Sequence, residues 1–282
     1  MSKHDQVFQL KFGRNLGFAE FGDLNGNPLF FFHGWPSTRM HGACVDSLAK
    51  KLGIRVISPD RPGVGLSDFQ EGRTLLDFPD DIIELADSLN LKKFGVAGVS
   101  GGGPYAAVCA YKIPTRFLKT AIIVGLAPTY IPGICKGMAP LNTLTWESYG
   151  RIPFARELAG GIVYLKSKLE SLSIVDFPAR QDRNVMNSEF KKRLEHNMAE
   201  AVRNGTQGIV QDLYLYTTEW GFDSSEIASK VNLYYGKHDK NVSLKMGKYY
   251  RDHIRSSTLK VYDGGHLGWM ELGEEILKSI KL

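Results

Sequence analysis

Short apolar runs alternate with longer amphipathic stretches through the first half of this chain, and that alternation leaves few folds open. The runs at 7–12, 16–21, 29–32, 55–58, 94–98 and 121–125 read as strands, because each is short and bounded by turn-forming residues. Between the later runs, 42–52 and 77–89 carry apolar residues at helical spacing, as in Phe78, Ile82, Ile83, Leu85, Ala86 and Leu89. Strands separated by such helices predict a parallel sheet with helices on both faces. The first two runs, joined through Gly13-Arg14-Asn15, read as a hairpin at the sheet edge.

After Gly125 the rhythm breaks. The chain passes Pro128, Pro132, Gly133, Pro140 and Pro153 and then helix-like stretches, and strands resume only at 231–235. A helix at 244–253, a strand at 258–262 and a terminal helix at 270–280 follow. An insertion that interrupts a doubly wound core and returns the chain to the same sheet reads as a lid over the strand ends. The expected division is a core of 1–126 and 223–282 with an inserted helical cap at 127–222.

Composition excludes several function classes. At 282 residues the chain needs neither disulfides nor metals to build a core. Its 35 basic and 30 acidic side chains leave a net charge of +5, too thinly spread to predict a nucleic-acid or membrane partner. The run Lys191-Lys192-Arg193, followed by Glu195 and Glu200, reads as a solvated helix face. Cys44, Cys109 and Cys135 show no metal-ligand spacing and suggest reduced thiols, so no metal is expected. With no apolar leader and no stretch near the ~20 apolar residues of a membrane span, the expectation is a cytoplasmic protein, monomeric or homodimeric.

Gly98-Val99-Ser100-Gly101-Gly102 lies between the apolar run 94–98 and a helix beginning near Pro104. In a G-x-S-x-G turn, small neighbours two residues either side let strand and helix approach, and the serine is held on a strained backbone that lifts its hydroxyl out of the sheet. The Gly101 N–H then points into the same space, near a helix N-terminus. A competing dinucleotide fingerprint, Gly101-Gly102-Gly103-Pro104-Tyr105-Ala106, lacks the acidic residue due after the next strand, which ends Gly125-Leu126-Ala127. The phosphate-loop motif is absent from the sequence.

A serine nucleophile needs a base, and the base needs an orienting acid. His266, in Asp263-Gly264-Gly265-His266, follows the last strand where paired glycines allow a sharp turn. Asp239 follows the strand 231–235, on Gly236-Lys237-His238-Asp239. The competing readings are a turn or capping role for Asp239 and a structural role for His266. A second oxyanion donor is expected from the loop after 29–32, where His33-Gly34-Trp35-Pro36 offers the Trp35 N–H beside that of Gly101. His33 reads as a prop for this loop. Losing one such donor costs ~10²–10³ in rate.

Together with Asp60-Arg61-Pro62-Gly63-Val64-Gly65-Leu66-Ser67, these segments resemble the α/β-hydrolase fold superfamily over nearly the whole chain. The resemblance implies an eight-stranded, mostly parallel sheet, a helical cap after the sixth strand and no cofactor. It also implies Ser100 as nucleophile, His266 as general base and Asp239 as its orienter. Serine at 100 turns the reading from carboxylate-nucleophile branches to acyl chemistry, and the expected substrate is a small to medium carboxylic ester. Gly101 stands where many relatives carry a larger side chain. The Asp60-Arg61-Pro62-Gly63 segment is also similar to that of prolyl aminopeptidases, which need acidic cap residues; Glu147, Glu157 and Glu170 are the candidates. Amide or lactone cleavage, or a slow-turnover receptor, remain alternatives. Tyr130, Leu144, Trp146, Tyr149, Phe154 and Tyr164 offer the inserted segment either a substrate surface or its own core.

Overall fold

Alternation of side chains across each strand sorts the chain into two apolar layers. A computed structural model describes residues 3–152, 154–169 and 180–281. The strands are β1 (Gln6–Gln9), β2 (Asn15–Gly22), β3 (Asn27–Phe32), β4 (Ile54–Pro59), β5 (Phe94–Val99), β6 (Phe117–Ile123), β7 (Val231–Gly236) and β8 (Ser257–Tyr262). They form one eight-stranded sheet in the order β1-β2-β4-β3-β5-β6-β7-β8. The pairs β1/β2 and β2/β4 are antiparallel and all others parallel. The fold class read from the sequence is the one observed.

The helices are α1 (Asp46–Lys51), α2 (Phe78–Ser88), α3 (Gly103–Lys112), α4 (Pro140–Arg151), α5 (Ala155–Lys168), α6 (Ser188–Ala201), α7 (Gln207–Thr217), α8 (Leu244–His253) and α9 (Gly273–Ile280). Leu29, Phe31, Ala97, Val99, Ala121 and Ile123 pack on one face with Ala49 of α1 and Ile276, Leu277 and Ile280 of α9. Phe30, Phe32, Val96 and Ile122 face the other way, against residues of α2, α3 and α8. This period of two is what a sheet buried on both sides requires.

Three boundaries differ from the sequence expectation. The first strand stops at Gln9 because the chain turns at Leu10, whose N–H donates to the Arg14 carbonyl. The helix expected at 42–52 is a 3-10 turn, Arg39–Val45, followed by the short α1. Strand β6 runs Phe117–Ile123 rather than 121–125, because Val124 adopts a left-handed backbone (φ 41°). That turn lets the Leu126 N–H donate to the Ser100 carbonyl.

Helices α4 to α7 lie between β6 and β7 in the chain, and charge as well as apolar packing ties them to the sheet. Asp212 of α7, fully buried, accepts from Arg61 Nε (2.7 Å), Arg73 (2.6 Å) and the Tyr105 hydroxyl (2.6 Å). Arg39 reaches Glu200 of α6 at 2.9 Å and Asp60 at 3.0 Å. Backbone contact at the start of α7 is close enough to demand glycine: a Cβ at Gly208 would run into the Gly63 carbonyl. No helix among the described residues is long and apolar enough to cross a membrane.

Removing one partner of a buried ion cluster leaves the others uncompensated, at a cost of about 3–5 kcal/mol. Asp212→Ala is therefore expected to lower the unfolding free energy by an amount in that range, read from the urea midpoint. A loss below about 1 kcal/mol, the size of an exposed pair, would show that Arg61 and Arg73 are solvated instead.

Candidate active site

Four loops at the carboxyl ends of the parallel strands β3, β5, β7 and β8 meet around one cavity of about 770 Å³. That edge is where open α/β sheets bind their ligands. Trp35, Ser100 and His266 all line it.

Ser100 opens the 3-10 turn Ser100–Gly102 that runs from β5 into α3, and its φ is 54°. An L-residue held in the left-handed region is strained. The turn is possible only because its neighbours are small: a Cβ at Gly98 would strike the Gly102 carbonyl, and one at Gly102 the Phe32 carbonyl. The first N–H groups of such a helical start have no intrahelical acceptor and carry the positive end of the dipole.

Asp239 and His266 are joined across two strand ends. The His238 N–H donates to the Gly264 carbonyl at 2.9 Å, holding the loop after β7 against the loop after β8. Asp239, 3 % exposed, places one carboxylate oxygen 2.8 Å from His266 Nδ1. Its other oxygen accepts from the N–H groups of Asn241 (2.7 Å) and Val242 (2.9 Å), so one residue both caps its turn and contacts the His266 ring. With Nδ1–H donating to Asp239, Nε2 is the lone-pair nitrogen of the neutral ring.

A second carboxylate, which the sequence reading did not single out, supports the histidine loop. Asp182 is 1 % exposed and accepts from the backbone N–H groups of His266 (2.9 Å) and Leu267 (2.8 Å). A Cβ at Gly265 would collide with that carboxylate, which explains the second glycine of the pair. Nothing in the pattern around 182 separates it from a surface acid, because its partners are backbone groups more than eighty positions away.

Burial alone would lower the His266 pKa, but the Asp239 charge and hydrogen bond, helped by Asp182, outweigh it and hold the pKa above 6.5. The two other histidines of this region go the opposite way. His33 is pushed well down by burial and by Arg61; it donates to the Gly34 carbonyl and faces the Arg61 N–H, a prop as expected. His41 is lowered to about 4 by burial, His266 and Arg61. Its Nδ1 accepts from the Gly34 N–H at 3.2 Å, which leaves the proton on Nε2.

The residues expected to supply the two oxyanion donors are neighbours in space. A Cβ built on Gly101 would stand 3.1 Å from Trp35 N and 2.9 Å from Trp35 Cβ. Arg61 secures the Trp35 loop by donating to the carbonyls of His33 (2.6 Å) and Gly34 (3.0 Å).

The inserted segment contributes Trp146, Tyr149, Ile162 and Val163 to the cavity wall, while Tyr130, Leu144, Phe154 and Tyr164 are exposed and lie outside it. Glu147 pairs with Arg151, Glu157 is exposed, and neither lines the cavity; Glu170 and Pro153 lie outside the described residues. Lys166 and Arg193 do line it, Arg193 while paired with Glu189. Among the described residues no group of three His, Cys, Asp or Glu side chains could hold a metal ion.

Comparison with known proteins agrees with this architecture. A family model described as alpha/beta hydrolase fold matches residues 27–271. An uncharacterized hydrolase of Bacillus subtilis (strain 168) is 25% identical over 267 residues, covering 90% of this chain and 89% of the relative. A non-heme chloroperoxidase of Streptomyces lividans is 30% identical over 121 residues, 42% of this chain and 44% of the relative, so the chain spans less than half the length of that protein. Among solved structures, an esterase from Exiguobacterium antarcticum superposes with a TM-score of 0.70 at 19% identity, covering 97% of each chain.

A histidine whose folded pKa is raised keeps its proton longer as pH rises, and it acts as a base only above that pKa. Its stabilising contribution runs the other way, full below 6.5 and lost as pH rises through the folded value. For a hydrolytic reaction in which His266 is the base, kcat/KM is accordingly expected to fall on the acid side with a midpoint above 6.5. Asp239→Asn should remove this upward shift and cut kcat, and a wild-type midpoint at or below 6.5 would contradict the role of Asp239.

Proposed function

The chain belongs to the alpha/beta hydrolase fold family, and from that premise we propose that it is a serine hydrolase that cleaves small to medium carboxylic esters through an acyl-enzyme on Ser100. The observation that carries this reading is the buried Asp239–His266 hydrogen bond at the cavity where Ser100 stands on its left-handed turn. In the first step His266 Nε2 takes the Ser100 proton as Oγ attacks the ester carbonyl. The Gly101 and Trp35 N–H groups hold the resulting oxyanion. His266 then protonates the departing alcohol, and the C–O bond of the ester breaks. Water, deprotonated by the same imidazole, attacks the acyl-enzyme, and collapse returns the proton to Ser100 and releases the acid.

The cap, 127–222, closes over these groups and sets acyl preference. Trp146 supports that assignment: its ring lies 6.4 Å from Trp35 and 5.5 Å from Tyr149, edge-on in both cases, so the cavity is aromatic on the insertion side. Such a wall suits an apolar acyl group. The aminopeptidase alternative is disfavoured on charge. A substrate ammonium needs carboxylates from the insertion, whereas the charged residues that the described insertion turns to the cavity are Lys166 and Arg193. The chloroperoxidase, esterase and hydrolase names of the relatives belong to those proteins; one scaffold hosts several chemistries, and the esterase name is the one in line with this reading.

A p-nitrophenyl ester series from acetate to octanoate tests the proposal. Turnover is expected with every member of the short range, and Ser100→Ala should reduce it by at least about 10⁴-fold with an unchanged circular dichroism spectrum. Full turnover by a folded Ser100→Ala protein would remove Ser100 from the mechanism. Trp146→Ala is expected to raise KM for the longer esters more than for acetate.

A further inference from the structure

Helix α7 touches the proposed oxyanion site at three points along one face. The Ile209 carbonyl accepts from Trp35 Nε1 at 2.9 Å. One turn on, Asp212 grips Arg61, the residue that holds the His33 and Gly34 carbonyls. One turn further, the Tyr216 hydroxyl, fully buried, donates to the Gly101 carbonyl at 2.8 Å. Positions 209, 212 and 216 share one side of a helix, so a single rigid element carries contacts to both donor segments.

The third contact explains an oddity of the sequence. Position 101 is glycine where many members of the family carry a larger side chain. A Cβ there would lie 2.8 Å from the Tyr216 oxygen, closer than real Cβ contacts allow. Tyr216 of the insertion, together with Trp35, occupies the space in which a side chain at 101 would stand.

We propose that Tyr216 is a positioning residue for the oxyanion site, its hydroxyl orienting the Gly101 segment from the cap in place of a side chain at 101. This rests on the ester-hydrolase reading above. Gly101, without a side chain, has conformational freedom that a larger residue would lack. The hydrogen bond from Tyr216 and the wedge of its ring restrict it, so that the Gly101 N–H is already aimed when the oxyanion forms. Tyr216 itself touches neither substrate nor the reacting atoms.

Tyr216→Phe keeps the ring and deletes the hydroxyl. With p-nitrophenyl acetate, kcat is expected to fall roughly five- to ten-fold, the size of one neutral hydrogen bond, with KM and Tm close to wild type. Affinity for phenylboronic acid, whose adduct with Ser100 places an oxygen in the same site, should weaken by the same factor. Gly101→Ala should lose more, since its methyl group would meet Trp35 as well as the Tyr216 hydroxyl. Unchanged kcat in Tyr216→Phe, or a loss of kcat that leaves boronate affinity untouched, overturns the proposal while the ester-hydrolase reading stands. A wild-type protein that neither turns over any ester nor reacts with a fluorophosphonate overturns both.

Discussion

A single buried carboxylate, Asp212, holds the working parts of this molecule in register. It lies between the guanidinium groups of Arg61 and Arg73, all three side chains buried, and Arg61 also stacks over the Tyr105 ring at 4.9 Å. Charges in such a place are tolerable only while each keeps its partners, because desolvation makes a lone buried ion far more costly than a missing apolar contact. The cluster therefore acts as a latch with one closed state. It joins the loop after β4, helix α3 and helix α7, and through Arg61 it fixes the carbonyls that precede Trp35.

Around this latch the same residue type is put to different uses by its surroundings. Three histidines at this sheet edge, His33, His41 and His266, show it. His33 is sealed among backbone groups and an arginine and stays neutral. His41 is neutral with its proton directed by a glycine N–H. Of these three, His266 is the one with a carboxylate against its ring, and its pKa is raised. Divergent environments for like groups are the usual sign of assigned roles at a site.

Most of the sheet was legible in the sequence because both its faces are buried, and a strand enclosed on two sides must be apolar throughout. The turn around Ser100 was legible for a related reason: close backbone approach tolerates only glycine, and the pattern Gly98, Gly101, Gly102 records it. Helix boundaries in 42–52 were not, since a 3-10 turn and an α-helix bury nearly the same stripe. The anchoring groups were the least accessible. Asp212 sits among Ile209, Leu213 and Tyr216 on the apolar side of α7, where a charged residue is out of place, and that misfit was a usable signal. Asp182 offered none, because its partners are main-chain groups and its chemistry depends on distance in space rather than along the chain.

The contact between Tyr216 and Gly101 bears on how such insertions could be exchanged. A lid is often treated as an interchangeable module that alters which molecules enter while leaving the reacting centre alone. Here the Tyr216 hydroxyl of the insertion stands where a side chain at 101 would reach, one residue from Ser100. A foreign segment spliced at the same joints would bring no group for that place, and the native segment moved onto a scaffold with a bulkier residue at the equivalent of 101 would find the place already occupied. Transplantation succeeds only if both halves of the fit travel together.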